Sequence, residues 1–344
     1  MLKKRIDRLL NEIGETAVYL TDSDDMYYYS GFAGEGGVVV SKDKRIVLTD
    51  GRYTEMAQKS CPGFEVLAIN DMTLVLNSLK CPVVVQADSI SYSMYLRLKE
   101  AGLELDPLKD VFDHLRSVKQ EKEIECLKKA ALIAEDVYKE VLKFLSVGKT
   151  EREIAAFIDY QIKLKGAGKN SFETICVSGK NTSLPHGVPT DKQLQNGEFI
   201  TLDFGAKVDG YCSDMTRTVA LGSVTDEMAN VYDVVLKAQE KSQNAIKAGM
   251  SCKEIDEIAR VYIKENGYGE YFVHSLGHGV GLKIHEQPNL SPKSEKVLEV
   301  NNVVTVEPGI YIPDKFGVRI ENTVIVTRTK AISLQKSSKE LTIL

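Results

Sequence analysis

Residues 199–219 have the sequence FITLDFGAKVDGYCSDMTRTV. Apolar, β-branched and aromatic residues lie on both sides of Val208-Asp-Gly210, which is a turn signal, so the segment predicts a β-hairpin. Asp203 and Asp214 are eleven positions apart. Across a two-residue loop, an odd separation puts both side chains on the same face, directly opposite or on the diagonal. Two carboxylates about 5 Å apart in a half-buried sheet repel unless a proton or a cation lies between them, so this hairpin predicts a metal site.

A second hairpin is predicted between residues 303 and 326. Strand-like sequence precedes and follows the turn residues Pro313-Asp-Lys315. Glu307 and Glu321 are fourteen positions apart, which is an even separation. The loop must therefore contain an odd number of residues, three or five, if the two carboxylates are to share a face. The chain thus contains two predicted hairpins, each with a pair of acids.

Histidines concentrate between these hairpins. Three of the five histidines lie in residues 274–285, HSLGHGVGLKIH, where glycines bracket His278. Glycine suits a backbone that must bring an imidazole close to another group. A fourth histidine, His186, follows Pro185 just before the first hairpin. This stretch therefore predicts a nitrogen ligand close to the acids.

The acids and His278 are informative only as a set. One carboxylate or one histidine alone is more often a solvated or structural group than a ligand. Two same-face acid pairs and a glycine-flanked histidine would supply five ligands, mostly oxygen with one nitrogen. That donor set suits a pair of hard or borderline divalent ions such as Mn²⁺, with Co²⁺ or Zn²⁺ as alternatives.

Composition excludes several classes of protein. The 344 residues carry a net charge of −5, which argues against a nucleic-acid binder because the chain has no global basic field. No run approaches the ~18 apolar residues of a membrane span, so no membrane partner is expected. The six cysteines form no C-x-x-C pair. They are expected to be reduced thiols in a cytoplasmic protein, which leaves no cysteine-based zinc site.

The pattern of predicted helices and strands changes near residue 115. Residues 1–115 alternate short β-forming runs with helical segments, as in an α/β domain. Residues 116–344 begin with a long helical pattern and continue with strands and further helices, as in a larger α+β domain. Within it, Thr150-Glu-Arg-Glu153 has the form of a capping box that begins a helix. We expect two domains, divided at this point.

The chain resembles the pita-bread metallopeptidases, the family of methionine aminopeptidase, aminopeptidase P and prolidase. The stretches Ser30-Gly-Phe-Ala-Gly and Leu48-Thr-Asp-Gly-Arg-Tyr53 are similar to the extra amino-terminal domain of the proline-directed branch, which methionine aminopeptidases lack. The resemblance implies a carboxyl-terminal pita-bread domain after a smaller, creatinase-type α/β domain. In the larger domain the matching motifs are Leu-Asp-Phe-Gly at Asp203, Ser-Asp-Met-Thr-Arg-Thr at Asp214, Gly-His-Gly-Val-Gly-Leu at His278, Val-Glu-Pro-Gly-Ile-Tyr at Glu307 and Arg-Ile-Glu-Asn at Glu321.

The resemblance also implies roles for individual residues. Asp203 would bind one divalent ion, Asp214 and Glu321 would bridge two, and His278 with Glu307 would complete the second site. Glu307 would also move a proton from the nucleophile towards the leaving nitrogen. The remaining matches are residues expected to orient the substrate, to stabilise the oxyanion or to lie near the active site: His186, His274, His285, Arg319 and Tyr311.

The same resemblance implies cleavage of the bond that precedes proline. The amino-terminal segments around Phe32 and Arg52 favour an Xaa-Pro aminopeptidase, which acts on peptides with proline in second position. An Xaa-Pro dipeptidase is the alternative, and a non-catalytic pita-bread binding module is a remote one. A dipeptidase must recognise a free carboxylate close to the metals and exclude longer chains. A homodimer is expected, with the amino-terminal domain restricting access of the substrate.

Overall fold

The computed structural model describes residues 2–344. The chain folds into two compact units, with the boundary between Arg116 and Ser117. Each unit has its own sheet structure and its own buried apolar core. Helices and strands are both abundant in each unit.

The first unit is built around one mixed six-stranded sheet in the order β4-β3-β2-β1-β5-β6. The central strands β1 and β5 pair in parallel, which requires a crossover connection, whereas β1, β2 and β3 form an antiparallel meander. Its helices are α1 (Leu2–Ile13), α2 (Ser23–Ser30), α3 (Thr54–Ser60), α4 (Met72–Ser78), α5 (Tyr92–Glu100) and α6 (Asp110–Ser117). Its strands are β1 (Ala17–Leu20), β2 (Gly36–Val40), β3 (Arg45–Thr49), β4 (Glu65–Ala68), β5 (Val83–Gln86) and β6 (Leu105–Leu108).

The second unit combines long helices with several small antiparallel sheets. Its helices are α7 (Glu121–Phe144), α8 (Glu151–Leu164), α9 (Asp226–Ala245) and α10 (Cys252–Glu265). Its strands are β7 (Lys169–Asn170), β8 (Ile175–Ser178), β9 (Glu198–Phe204), β10 (Ala206–Val208), β11 (Tyr211–Cys212), β12 (Met215–Leu221), β13 (Gly277–Gly279), β14 (Glu286–Leu290), β15 (Val303–Val306), β16 (Gly309–Ile312), β17 (Phe316–Arg319), β18 (Asn322–Val326) and β19 (Ala331–Ser333).

Two helix pairs cover the sheets of this unit. Helices α7 and α8 share one apolar cluster with β9 and β12, and α9 and α10 share another with β15 and β18. On α8 the buried residues Ile154, Ile158 and Ile162 recur every four positions, which is the apolar face of an amphipathic helix. The predicted capping box at the start of α8 is confirmed, since Thr150 and Glu153 exchange both hydrogen bonds.

The register of the first hairpin confirms the predicted two-residue loop. Val208 pairs with Tyr211, which leaves Asp209 and Gly210 as the loop. Asp203 pairs with Thr216, two positions beyond Asp214. Side chains two positions apart on a strand share a face, so the two aspartates lie on the same face in a diagonal relation.

The second hairpin has the odd loop that the even separation requires. Ile312 pairs with Phe316 and leaves a three-residue loop. The pairs Gly309 with Arg319 and Val306 with Asn322 belong to one register, which places Glu307 opposite Glu321. This prediction is also confirmed.

Two further expectations concern the chain as a whole. None of the helices between residues 2 and 344 combines the length and the apolar character that crossing a bilayer demands. All six cysteines are free thiols.

We predict that Gly277→Ala destabilises the second unit. A Cβ on Gly277 would lie 2.1 Å from the carbonyl oxygen of Thr305, so β13 and β15 would have to separate. Overpacking of this kind costs ~1–3 kcal/mol, measurable as the free energy of unfolding in urea. Gly168→Ala is the matched control, because its Cβ would meet only Lys207 O at 3.7 Å. Equal unfolding free energies of the two variants would contradict the close approach.

Candidate metal centre

Two hairpins and one short strand bring the five candidate ligands into one cluster. One carboxylate oxygen from each of Asp203, Asp214 and Glu321 lies within 4.8 Å of the other two. The His278 Nε2 atom is 3.2 Å from Glu307 Oε1 and 3.6 Å from Asp214 Oδ2. All five residues line the same cavity. The ligands predicted from the sequence therefore meet in space.

Three of the acids lie in short gaps between consecutive strands. Asp214 lies in the short gap between β11 and β12, Glu307 between β15 and β16, and Glu321 between β17 and β18. Backbone hydrogen bonds still hold these gaps, since the Glu307 N–H donates to Leu276 O and the Glu321 N–H donates to Thr216 O. The side chains are thereby presented from a rigid backbone.

Three of the four acids are anchored by the protein through one oxygen. Arg319 Nη2 donates to Asp203 Oδ2 at 2.5 Å, and Thr216 Oγ1 donates to Glu321 Oε2 at 2.7 Å. Thr305 Oγ1 donates to Glu307 Oε1 at 3.0 Å. These contacts fix the orientation of each carboxylate and leave its other oxygen to be satisfied by something else.

Two of the remaining oxygens are buried without a partner. Within residues 2–344, neither Asp203 Oδ1 nor Glu321 Oε1 has a hydrogen-bond donor. A buried acceptor left unsatisfied costs roughly 1–3 kcal/mol, and more when it is charged. Their orientation into a cluster of acids calls for cations rather than for further protein donors.

The pKa shifts within the cluster also indicate that the acids need compensating positive charge. Burial raises the pKa of Asp214 and of Glu321 well above the usual carboxyl range, and repulsion from neighbouring carboxylates raises both further. Burial also raises the pKa of Asp203, although the charge of Arg319 opposes that shift. Without cations, burial and mutual repulsion therefore favour the protonated form of these three carboxyl groups.

His278 and Glu307 form a charged pair within the cluster. Burial alone would lower the pKa of His278, but its hydrogen bond to Glu307 and the charge of that residue raise the pKa to about 9. Burial alone would raise the pKa of Glu307, but His278 lowers it to about 2. A metal ligand must be a neutral imidazole, so binding of a cation at Nε2 would displace this proton.

The residues present fit a divalent metal pair. Four carboxylates and one imidazole form an oxygen-rich donor set, and the two orphaned oxygens offer lone pairs that no protein group uses. Oxygen-rich sets of this kind favour hard or borderline divalent cations over soft ones.

The cluster opens into a cavity of about 720 Å³. His186, His274 and His285 line the cavity together with Arg319. Apolar side chains complete the wall: Phe172, Ile175, Pro185, Val188, Pro189 and Ile284. Its size and its mixed lining suit a small organic ligand such as a short peptide.

A hydrogen-bonded chain links His274 to the acids through Tyr311 and Arg319. Arg319 Nη1 donates to Tyr311 Oη at 2.8 Å, and Tyr311 Oη lies 2.9 Å from His274 Nε2. His274 Nδ1 lies 2.7 Å from Ser275 O, so both ring nitrogens of His274 have partners. Burial raises the pKa of Tyr311 to about 12, and the hydroxyl therefore keeps its proton. The structure brings all the predicted site residues together, with Tyr311 reaching the cavity through its two partners.

Some supporting residues were not predicted. Thr216 lies opposite Asp203 in the hairpin register and connects Arg319 to Glu321, since Arg319 Nε donates to Thr216 Oγ1 at 3.1 Å. The hairpin register that puts the two aspartates on one face also puts Thr216 opposite Asp203, so this signal was present in the sequence. The segment that carries His274 is held by a pair of residues on α10, the buried Asp256 and its partner Arg260. The Leu276 N–H donates to Asp256, and Arg260 donates to His274 O. No local pattern marks that long-range contact.

Comparison with known proteins identifies the family. Residues 125–328 match the model described as metallopeptidase family M24, and residues 3–118 match the creatinase/prolidase N-terminal domain. The chain is 39% identical to an Xaa-Pro dipeptidase of Pyrococcus furiosus, over 99% of this chain and 100% of that protein.

Solved structures of similar proteins are also Xaa-Pro peptidases. An Xaa-Pro dipeptidase from Bacillus anthracis is 41% identical over the whole of both chains, with a TM-score of 0.96. An X-Pro aminopeptidase from Thermotoga maritima is 36% identical over 99% of this chain and 100% of that one, with a TM-score of 0.92. These matches confirm the expected α+β architecture, with a creatinase-type domain before the catalytic domain, and the resemblance to the proline-directed branch.

Family M24 uses a dinuclear site for divalent metal ions, and the acidic cluster of this chain is consistent with such a site. The motifs, the geometry and the matches over almost the whole chain agree, and the chain belongs to metallopeptidase family M24.

Proposed function

We propose that this protein is a metal-dependent Xaa-Pro dipeptidase, which hydrolyses the bond between the two residues of a dipeptide that ends in proline. The observation that carries the proposal is the cluster of three buried acids and the partly buried Glu307, with its two unsatisfied oxygens, at a peptide-sized cavity. The proline preference is taken from the relatives named as Xaa-Pro dipeptidases in P. furiosus and B. anthracis. This favours the alternative over the aminopeptidase that the amino-terminal segments suggested.

The aminopeptidase is kept as a second candidate for a specific reason. Among the described residues that line the cavity, Arg319 is the one lysine or arginine, and it is engaged by Asp203, Tyr311 and Pro185 O. A dipeptide carboxylate would therefore have to be bound by histidine N–H groups or by uncharged donors of the cavity, such as Ser275 and Asn289. The T. maritima relative is named as an X-Pro aminopeptidase, which agrees with that difficulty.

Five residues would hold the metal ions in this proposal: Asp203, Asp214, His278, Glu307 and Glu321. Mn²⁺ is the proposed metal, with Co²⁺ or Zn²⁺ as alternatives, because the donors are mostly carboxylate oxygens. When bound, the ions would polarise the scissile carbonyl and make water nucleophilic at neutral pH.

Glu307 is proposed to move the proton. His278 and Thr305 contact Glu307 Oε1, so Oε2 is the atom proposed to accept the proton of the attacking water. The same oxygen would deliver that proton to the proline nitrogen, which must be protonated to leave as an amine.

Two of the histidines are proposed to contact the substrate, and His274 is proposed to position Arg319. His186 and His285 line the cavity and are proposed to donate to the oxyanion or to the substrate carboxylate. Burial and the nearby charge of His278 lower the pKa of His285, which favours a neutral ring with one N–H. Both nitrogens of His274 are already engaged, so His274 and Tyr311 are proposed to hold Arg319 against Asp203. The homodimer, the cytoplasmic location and the substrate-restricting role of residues 1–115 stay predictions.

We predict that the Mn²⁺-loaded protein cleaves Ala-Pro faster than Ala-Pro-Ala. A dipeptidase gains binding energy from the free carboxylate of proline, so kcat/KM should differ by at least about tenfold, which is ~1.4 kcal/mol of transition-state binding. Initial rates by amino-acid release measure this, with Ala-Ala as the control for proline preference. A ratio of kcat/KM in favour of Ala-Pro-Ala would identify the aminopeptidase instead.

We also predict that Asp214→Asn stabilises the metal-free protein at pH 8. The pKa of Asp214 is raised in the fold, so its ionisation costs stability as the pH rises from about 4 through the raised value. Removing the charge should recover ~1–3 kcal/mol of unfolding free energy in EDTA and reduce the loss of stability between pH 5 and 8.

Mn²⁺ should in contrast raise the Tm of the wild type and have little effect on Asp214→Asn, because only the wild type keeps the carboxylate proposed to hold the metal ions. Asp233→Asn, at an exposed position on α9, is the control and should behave as the wild type. The idea fails if Asp214→Asn is less stable than the wild type in EDTA at pH 8 and keeps the full stabilisation by Mn²⁺.

A further inference from the structure

Glu151, at the start of α8, is a fully buried carboxylate that accepts six hydrogen bonds. Its Oε1 accepts from Ser178 N at 2.7 Å, Ser178 Oγ at 2.9 Å and Asn181 Nδ2 at 3.1 Å. Its Oε2 accepts from Thr190 N at 3.0 Å, Thr190 Oγ1 at 2.7 Å and Asn181 Nδ2 at 3.3 Å. Glu151 is absent from the cavity wall and is not one of the metal-binding candidates. The mechanism proposed above therefore does not use it.

The two anchor points of Glu151 enclose one functional loop. Ser178 ends β8, and Thr190 lies twelve positions later in the chain. Residues 179–189 lie between them and include Pro185, His186, Gly187, Val188 and Pro189, all of which line the cavity. One carboxylate thus ties together both ends of the loop that presents His186.

We propose that Glu151 is a positioning residue for the His186 loop, and that it sets the position of His186 and of the Val188-Pro189 wall relative to the metal cluster. The inference rests on the proposed function, because His186 is given its work there. It extends that function by assigning a role to a residue remote from the reacting atoms.

The chemistry of the contacts requires a carboxylate at position 151. Both oxygens face backbone N–H groups, which donate and cannot accept. The amide of glutamine has one oxygen and one NH₂ group. Whichever way it is turned, its NH₂ opposes either Ser178 N–H or Thr190 N–H, so one end of the loop is released.

Other contacts keep the middle of the loop attached. Gly317 N donates to Thr182 Oγ1 at 2.8 Å, and Arg319 Nη1 donates to Pro185 O at 3.1 Å. Loss of the Glu151 contacts should therefore loosen the loop without removing it from β17. The metal ligands lie on other segments, so their cluster should persist.

The test compares Glu151→Gln with Glu153→Gln in the metal-loaded protein. Both residues lie in the first turn of α8, but exposed Glu153 contacts only Thr150 in the capping box, a contact that glutamine can keep. Glu151→Gln should lower kcat/KM on the preferred Xaa-Pro substrate by about ten- to hundredfold, as expected for small misplacements of an active-site group. Its Mn²⁺ content should equal that of the wild type, and Glu153→Gln should keep wild-type kinetics.

Hydrogen exchange of the backbone amides gives a second readout that is independent of substrate. Glu151→Gln should accelerate exchange in residues 179–190 by about tenfold or more, with unchanged exchange in β9 and β12. Thr190→Val, which removes one donor and keeps the backbone N–H, should produce a smaller change of the same kind. A variant that only loses global stability would instead exchange faster in all segments.

The inference is overturned if exchange in residues 179–190 is unaltered in Glu151→Gln, or if kcat and KM per folded molecule equal those of the wild type. If the wild type itself cleaves no Xaa-Pro substrate, the proposed function fails. The exchange measurement then still decides whether Glu151 holds the loop.

Discussion

Repulsion among four clustered carboxylates, three of them buried and that of Glu307 partly buried, is the constraint on which the rest of this structure depends. Asp203, Asp214, Glu307 and Glu321 face one cavity, and the protein supplies only partial compensation through Arg319 and His278. In a medium of low polarity, uncompensated charges at such distances are strongly unfavourable. The cluster is therefore stable at neutral pH only with protons or with cations, and family M24 supplies the second solution. The stability of the fold and the proposed metal binding and catalysis are thus linked through the same four side chains.

Much of this cluster could be predicted from the sequence, because hairpin geometry obeys a parity rule. The odd separation of Asp203 and Asp214 requires an even loop, and the even separation of Glu307 and Glu321 requires an odd one. The structure has loops of two and three residues. Parity is a local property of the chain, so no knowledge of the tertiary structure is needed. The convergence of the two hairpins on His278 depends on tertiary packing. The sequence indicated it through the joint set of five donors and through the resemblance to a family, but neither gives the distances.

Other features could not be predicted, for a physical reason. The contact of Glu151 with Ser178 and Thr190, and that of Asp256 with Leu276, join residues far apart in the chain. Nothing in the composition near an acid tells whether it will be solvated or buried among donors. Substrate length is a similar case, because recognition of a free carboxylate depends on which donors remain unused in the cavity. The segments around Phe32 and Arg52 that favoured an aminopeptidase carry no such information.

The central claim, that the acidic cluster holds divalent cations, is tested most directly by anomalous diffraction at the manganese absorption edge from crystals of Mn²⁺-loaded protein. The account predicts two strong peaks among the carboxylates of Asp203, Asp214, Glu307 and Glu321, with one of them next to His278 Nε2. Absence of any peak within this cluster at saturating Mn²⁺, with the four carboxylates turned towards solvent, would contradict it.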